Sequence, residues 1–162
     1  MTDMLIKLYE IEDDWRFLAE QEKLGITIRK PIGPEKHIIV GWVSAQFGAS
    51  WASETEVAIS NKPRSCFVAV KQASIIGFAC YDATGLGFFG PIGVEKSHRQ
   101  RGTGKALMTA CLLDMKLKGY GCAVVGAVES TRYYQKIVGA WEIPDSSTGI
   151  YKTRLKGMPG PK

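Results

Sequence analysis

The 162-residue sequence has only two histidines, and its four cysteines, Cys66, Cys80, Cys111 and Cys122, stand far apart with no C-x-x-C pair. That spacing excludes the common zinc clusters, and no metal site is expected. Each cysteine lies among apolar neighbours, whereas a reactive thiolate needs an electropositive and accessible setting, so all four are expected to be small buried thiols. No apolar run approaches the ~20 residues that span a bilayer. The opening MTDMLIKLYEIEDDW mixes acids into its apolar stretch, unlike a secretory leader, so a cytoplasmic protein is expected. Internal repeats and low-complexity linkers are also absent, which at this length points to one domain over 1–162.

What is present is the balance of an ordinary globular chain, 45% hydrophobic and 23% charged. The net charge of +5 would attract any polyanion, so its location matters more than its sum.

Along the chain, 4–11 reads as a strand or extended segment and DDWRFLAEQEKLG as a helix stopped by Gly25. ITIRKP, ending at Pro31, reads as a strand. PEKHIIVGWVSAQFG places Ile38, Trp42, Val43 and Phe47 near helical spacing behind Pro34, and a second helix runs from Ser50 or Trp51 to Asn61-Lys62-Pro63. CFVAVKQ, SIIGFACYDAT and GFFGPIGV read as three antiparallel strands separated by turn residues. A long helix at Thr103–Lys118 carries Gly104, Leu107, Met108, Cys111, Leu112 and Met115 on one face, and Gly119 stops it. CAVVGAV is a buried strand and TRYYQKIVGA a short helix. WEI and GIYKTRL form an expected closing strand pair around 144–149, and 157–162 is an expected flexible tail.

The chemistry concentrates in GPIGVEKSHRQRGTGKAL, where a strand ends, a basic glycine-containing loop follows and a helix begins at once. Unpaired backbone N–H groups and the dipole make a helix N-terminus favourable for anions, and Gly102 and Gly104 allow close approach to the backbone. Lys96, His98, Arg99, Arg101 and Lys105 crowd this turn against Glu95 alone, which suits a pyrophosphate. So compact a cluster is sized for one ligand rather than for a nucleic-acid track. A Walker loop is excluded because Ala106 stands where a hydroxyl is needed. Gly85, Gly87 and Gly90 spell G-x-G-x-x-G, but Phe88, Phe89 and Pro91 continue an extended segment where a dinucleotide fingerprint needs a helix.

The run Val94-x-x-x-x-Arg99-x-x-Gly102-x-Gly104 resembles the acetyl-CoA signature of the GNAT acetyltransferases, with Lys96 where proline is usual. The order of elements from about Ile26 resembles the family too, leaving 1–25 as an N-terminal addition. The resemblance implies an α/β (α+β) GNAT fold: a mixed, mostly antiparallel sheet of about seven strands flanked by about four helices. It implies that Arg99, Gln100, Arg101, Gly102, Thr103, Gly104 and Lys105 hold the diphosphate of acetyl-CoA. Ile92, Gly93 and Val94 then pair with its pantetheine arm. RYYQKIVGA is similar to the family's F-Y-E-K-x-G-F segment, with Val138 inserted and Ala140 replacing the aromatic, and Tyr134 matches the tyrosine near the thioester sulfur. Tyr134 is accordingly the expected general acid.

Family members often carry a glutamate on the strand that GFFGPIGV matches, yet no carboxylate lies between Gly85 and Val94. Asp82, Glu129, Glu54 or water remain as alternatives for the base, and His37 reads as a surface or structural residue. Trp42, Phe47, Trp51 and Glu54 fall on the acceptor side implied by the resemblance. The activity implied is N-acetylation of a small-molecule amine, with a non-catalytic acetyl-CoA-binding module as the alternative. No nucleic acid or membrane partner is expected, and a homodimer is allowed.

Overall fold

Alternate residues of the strand Cys66–Lys71 enter two different cores. Phe67 and Ala69 join a large cluster on one sheet face, whereas Cys66 and Val68 join a smaller one on the other. A strand buried on both faces needs cover on both. A computed structural model, which describes residues 1–157, shows how that cover is arranged.

The elements are β1 (Thr2–Lys7), α1 (Phe17–Glu22), β2 (Thr27–Arg29), α2 (Lys36–Phe47), α3 (Ala49–Ser60), β3 (Cys66–Lys71), β4 (Ser74–Tyr81), β5 (Phe88–Val94), α4 (Thr103–Lys118), β6 (Cys122–Val128), α5 (Thr131–Val138) and β7 (Trp141–Glu142). They build one seven-stranded sheet in the order β2-β3-β4-β5-β6-β1-β7. Every neighbouring pair is antiparallel except β5 and β6. Leu107, Met108, Cys111, Leu112 and Met115 of α4 fill the larger core, with Tyr134, Ile137 and Val138 of α5 packed against it. Ile39 and Val43 of α2 and Ala52, Ala58 and Ile59 of α3 fill the smaller one. The helix α4 ends at Gly119, whose φ of 106° is left-handed and whose N–H bonds the Lys116 carbonyl. Among the described residues, no helix is long and apolar enough to cross a membrane. Cys66, Cys80 and Cys111 are buried and Cys122 partly so, all as free thiols.

Two expectations change. The segment GIYKTRL is no strand: Gly149–Tyr151 is a short 3-10 turn, with the Tyr151 N–H bonding the Thr148 carbonyl. The slot it was expected to fill beside Trp141 belongs to β1, which pairs with β6 through Leu5↔Val124 and with β7 through Leu5↔Trp141. Residues near the N-terminus thus close the sheet, and Met4 and Ile6 of β1 and Leu8 just after it are fully buried. The second change is the first helix, which starts only at Phe17 because Asp14 holds the Arg16 N–H and guanidinium and turns the chain first. The tail expected from 157 onward falls, after Gly157, outside the described residues.

Candidate active site

Strands β5 and β6 run together for one short stretch only, Phe88↔Val124 and Phe89↔Val125. Gly90 then takes a φ of 120°, reached readily by glycine alone, and the strands part. Beyond that point β5 bonds only β4, with Ile92 opposite Ala79, Gly93 opposite Phe78 and Val94 opposite Gly77. Its other edge therefore offers backbone groups to whatever enters the split. On the β6 side, Ala127 has a φ of 52° and gives its N–H to the Asp3 carboxylate at 2.9 Å, which turns the strand away.

A cleft of about 1110 Å³ opens at the split. Gly90 and Ile92 form one wall, Gly126 and Val128 the other, and Tyr134 of α5 and Trp51 of α3 close it above and below the sheet. Gly93 is fixed by packing: a Cβ there would sit 2.5 Å from the Phe47 ring. Phe47 itself belongs to an aromatic group with Trp42, Trp51 and Phe78, ring centroids 5.2 to 6.2 Å apart. Trp42 and Phe47 are partly buried against the smaller core, and of the expected acceptor-side group Trp51 and Glu54 line the cleft.

The basic loop leaves the end of β5. Arg99 donates through Nε to the Val94 carbonyl at 3.0 Å, folding the loop back on its own strand. Gln100 and Gly102 take left-handed φ values of 65° and 76°, and α4 begins at the next residue. No side chain caps α4, so the N–H groups of its first turn have no partner within the helix or from a cap. Arg99, Gln100, Arg101, Gly102 and Lys105 are exposed around them. His98 is held by Glu95 at 2.8 Å. Thr103 differs from the rest: its side chain is buried and donates to the side-chain amide oxygen of Gln21 at 2.8 Å, leaving only its backbone to face a ligand.

With this geometry in place, the comparisons with known proteins are specific. Residues 62–137 match the family model of the acetyltransferase (GNAT) domain. By this match and by its fold, the chain is similar to the GNAT acetyltransferases. None of the curated proteins matches the chain. Solved structures with the same fold include the GCN5-related glucosamine N-acetyltransferase region of a fungal multi-domain GH3 β-N-acetylglucosaminidase, at 16% identity and a TM-score of 0.69 over 87% of this chain and 20% of that one. A GCN5-related N-acetyltransferase from Sphaerobacter thermophilus matches at 20% identity and a TM-score of 0.64, over 88% of this chain and 48% of that one. A GNAT-family protein from Xanthomonas campestris, at 18% identity and a TM-score of 0.52, is matched over 83% of this chain and 94% of its own. The chain spans less than half the length of the first two.

Tyr134 is half-buried at the cleft, its ring set edge-on to Tyr133 at 5.2 Å. Burial pushes its hydroxyl pKa above the ordinary tyrosine value, so it is protonated at neutral pH. The base candidates separate clearly. Asp82 is buried away from the cleft and fully engaged, accepting from the Gly87 N–H at 2.8 Å, Lys118 at 3.0 Å and the Tyr120 hydroxyl at 2.9 Å. It is a brace for the turn before β5. Glu54 and Glu129 both line the cleft, Glu54 accepting from the Thr84 hydroxyl at 2.6 Å. His37, on α2, lines a groove shared with α3, outside the cleft.

Residues that sequence reasoning missed come from the ends of the chain. Asp3 shapes β6, Gln21 grips the basic loop, and Tyr151 and Arg154 form a wall of the cleft, with Arg154 donating to the Ser50 hydroxyl at 2.8 Å. Asp3, Gln21 and Arg154 had no local signal, since each acts through partners 80 or more residues away in the chain.

Proposed function

We propose that the protein is an acetyl-CoA-dependent N-acetyltransferase that acylates a primary amine of a small molecule by direct attack in a ternary complex. The observation that carries this reading is the uncapped, glycine-led start of α4 beside the split of β5 and β6, with Tyr134 on the same cleft. A diphosphate fits the loop chemically: several unpaired N–H groups and exposed cationic side chains surround a helix N-terminus. In this reading the backbone of 99–104 binds the diphosphate, and Arg101 and Lys105 add charge. The unpaired edge of Ile92, Gly93 and Val94 aligns the pantetheine arm and donates toward the thioester oxygen. Bound acetyl-CoA supplies the activated acyl group.

Tyr134 gives its proton to the departing thiolate sulfur, an uncharged donor suited to neutral pH. The proton of the attacking amine passes through water to Glu54 or Glu129, the carboxylates on the cleft wall. Serine and threonine hydroxyls from Ser50, Ser53, Thr84 and Ser130 share that wall with Trp51 and Tyr133, which suits a polar amine with an apolar body. The same reading places the enzyme in the cytoplasm, with neither nucleic acid nor a membrane as partner.

Calorimetry with acetyl-CoA, followed by thiol release across a panel of small amines, tests it. Saturable heat and amine-dependent thiol release are expected. Absence of heat overturns the reading, and binding without thiol release reduces the domain to a coenzyme-binding module.

A further inference from the structure

Gln21 lies on α1, outside the segment matched to the family, and is 5% exposed. Its side chain spans the basic loop from beneath. The amide NH2 donates to the Arg101 carbonyl at 3.2 Å and the amide oxygen accepts from the Thr103 hydroxyl at 2.8 Å. The main chain of Gln21 is itself pinned, because its carbonyl accepts the N–H groups of Leu24 and Ile26 where α1 turns into β2. The amide is thus presented from a fixed point to two atoms that flank Gly102.

We infer that Gln21 is a positioning residue for the diphosphate, aiming the backbone N–H of Gly102 and keeping the first turn of α4 uncapped. This rests on the reading under Proposed function. Two physical steps carry it. In a trans peptide the C=O and the following N–H point in opposite directions, so a carbonyl of Arg101 drawn inward to Gln21 turns the Gly102 N–H outward. A threonine beside an N-cap is also a ready competitor for first-turn N–H groups. Here its hydroxyl is committed to Gln21, so those groups stay available for an anion. A charged residue could not replace the amide, which must donate on one side and accept on the other.

Equilibrium binding of acetyl-CoA and of S-acetylpantetheine, which lacks the diphosphate, is measured for the wild type and for Gln21→Leu, Thr103→Val and Thr103→Ser. Gln21→Leu and Thr103→Val are expected to weaken acetyl-CoA about tenfold, equivalent to about 1.4 kcal/mol, with S-acetylpantetheine unchanged. Thr103→Ser keeps the hydroxyl and is expected to bind both ligands as the wild type does. Should Gln21→Leu fold poorly, Thr103→Val, which conserves shape, decides the matter. Equal weakening of both ligands, or no weakening of either, overturns the clamp while leaving the cofactor reading intact. A wild type that does not bind acetyl-CoA overturns both.

Discussion

Tyr134 illustrates how one side chain can be read for chemistry only once its surroundings are known. Its side chain lines a cleft, burial raises its pKa, and no neighbouring charge lowers it. A raised pKa keeps the acid form present throughout the physiological range and moves its loss to more alkaline pH. Tyr134→Phe is therefore expected to lower kcat by about 10²-fold, with acetyl-CoA affinity unchanged. The wild-type kcat should show no alkaline decline from this group below about pH 10, the ordinary tyrosine value. A variant with undiminished turnover removes the role. Asp82 teaches the converse. As a carboxylate shortly before β5 it was a reasonable candidate base, but only the structure shows the donors that occupy it.

Between elements, one ion pair sets a pH dependence. Arg29 of β2 holds Glu35, just before α2, through hydrogen bonds to both carboxylate oxygens, and Glu35 also accepts the Ile32 N–H at 2.9 Å. The Arg29 bond is the main cause of a Glu35 pKa lowered from 4.5 to about 2. A depressed carboxylate pKa contributes stability above the unfolded value that is lost as pH falls toward the folded one. Glu35→Gln is expected to cost under about 1 kcal/mol at pH 7, since both side chains are partly exposed and screened. In parallel urea titrations this deficit should shrink between pH 4.5 and pH 2, and a constant deficit would contradict the assignment. The elements themselves were largely legible. The face of α4 from Leu107 to Met115 and its stop at Gly119 follow from spacing and one glycine, and β3, β4 and β5 from their apolar runs. The glycine, arginine and lysine pattern of 99–105 marked the candidate anion loop for the same reason: its signal is local. GIYKTRL was misread because apolar alternation states what a strand buries and says nothing of whether a neighbouring slot is free. Gly149 with φ 56°, set against the Asp3 carboxylate, bends that segment into the cleft wall instead.

For the molecule as a whole, the first strand is part of the core. Ile6 is fully buried between α4 and the sheet, so Ile6→Ala is expected to cost about 2–5 kcal/mol in denaturant unfolding. Ile38→Ala, at a side chain 55% exposed on α2, is expected to be near neutral. Similar losses at both positions would show that β1 is not integral.

The place of β1 between β6 and β7 also orders events during synthesis. It leaves the ribosome ahead of every other element described, yet both of its partners are made near the opposite end, after α4. An apolar strand must wait unpaired while more than a hundred residues emerge, with Met4, Ile6 and Leu8 uncovered throughout. Productive folding of this chain is consequently a race between translation and self-association.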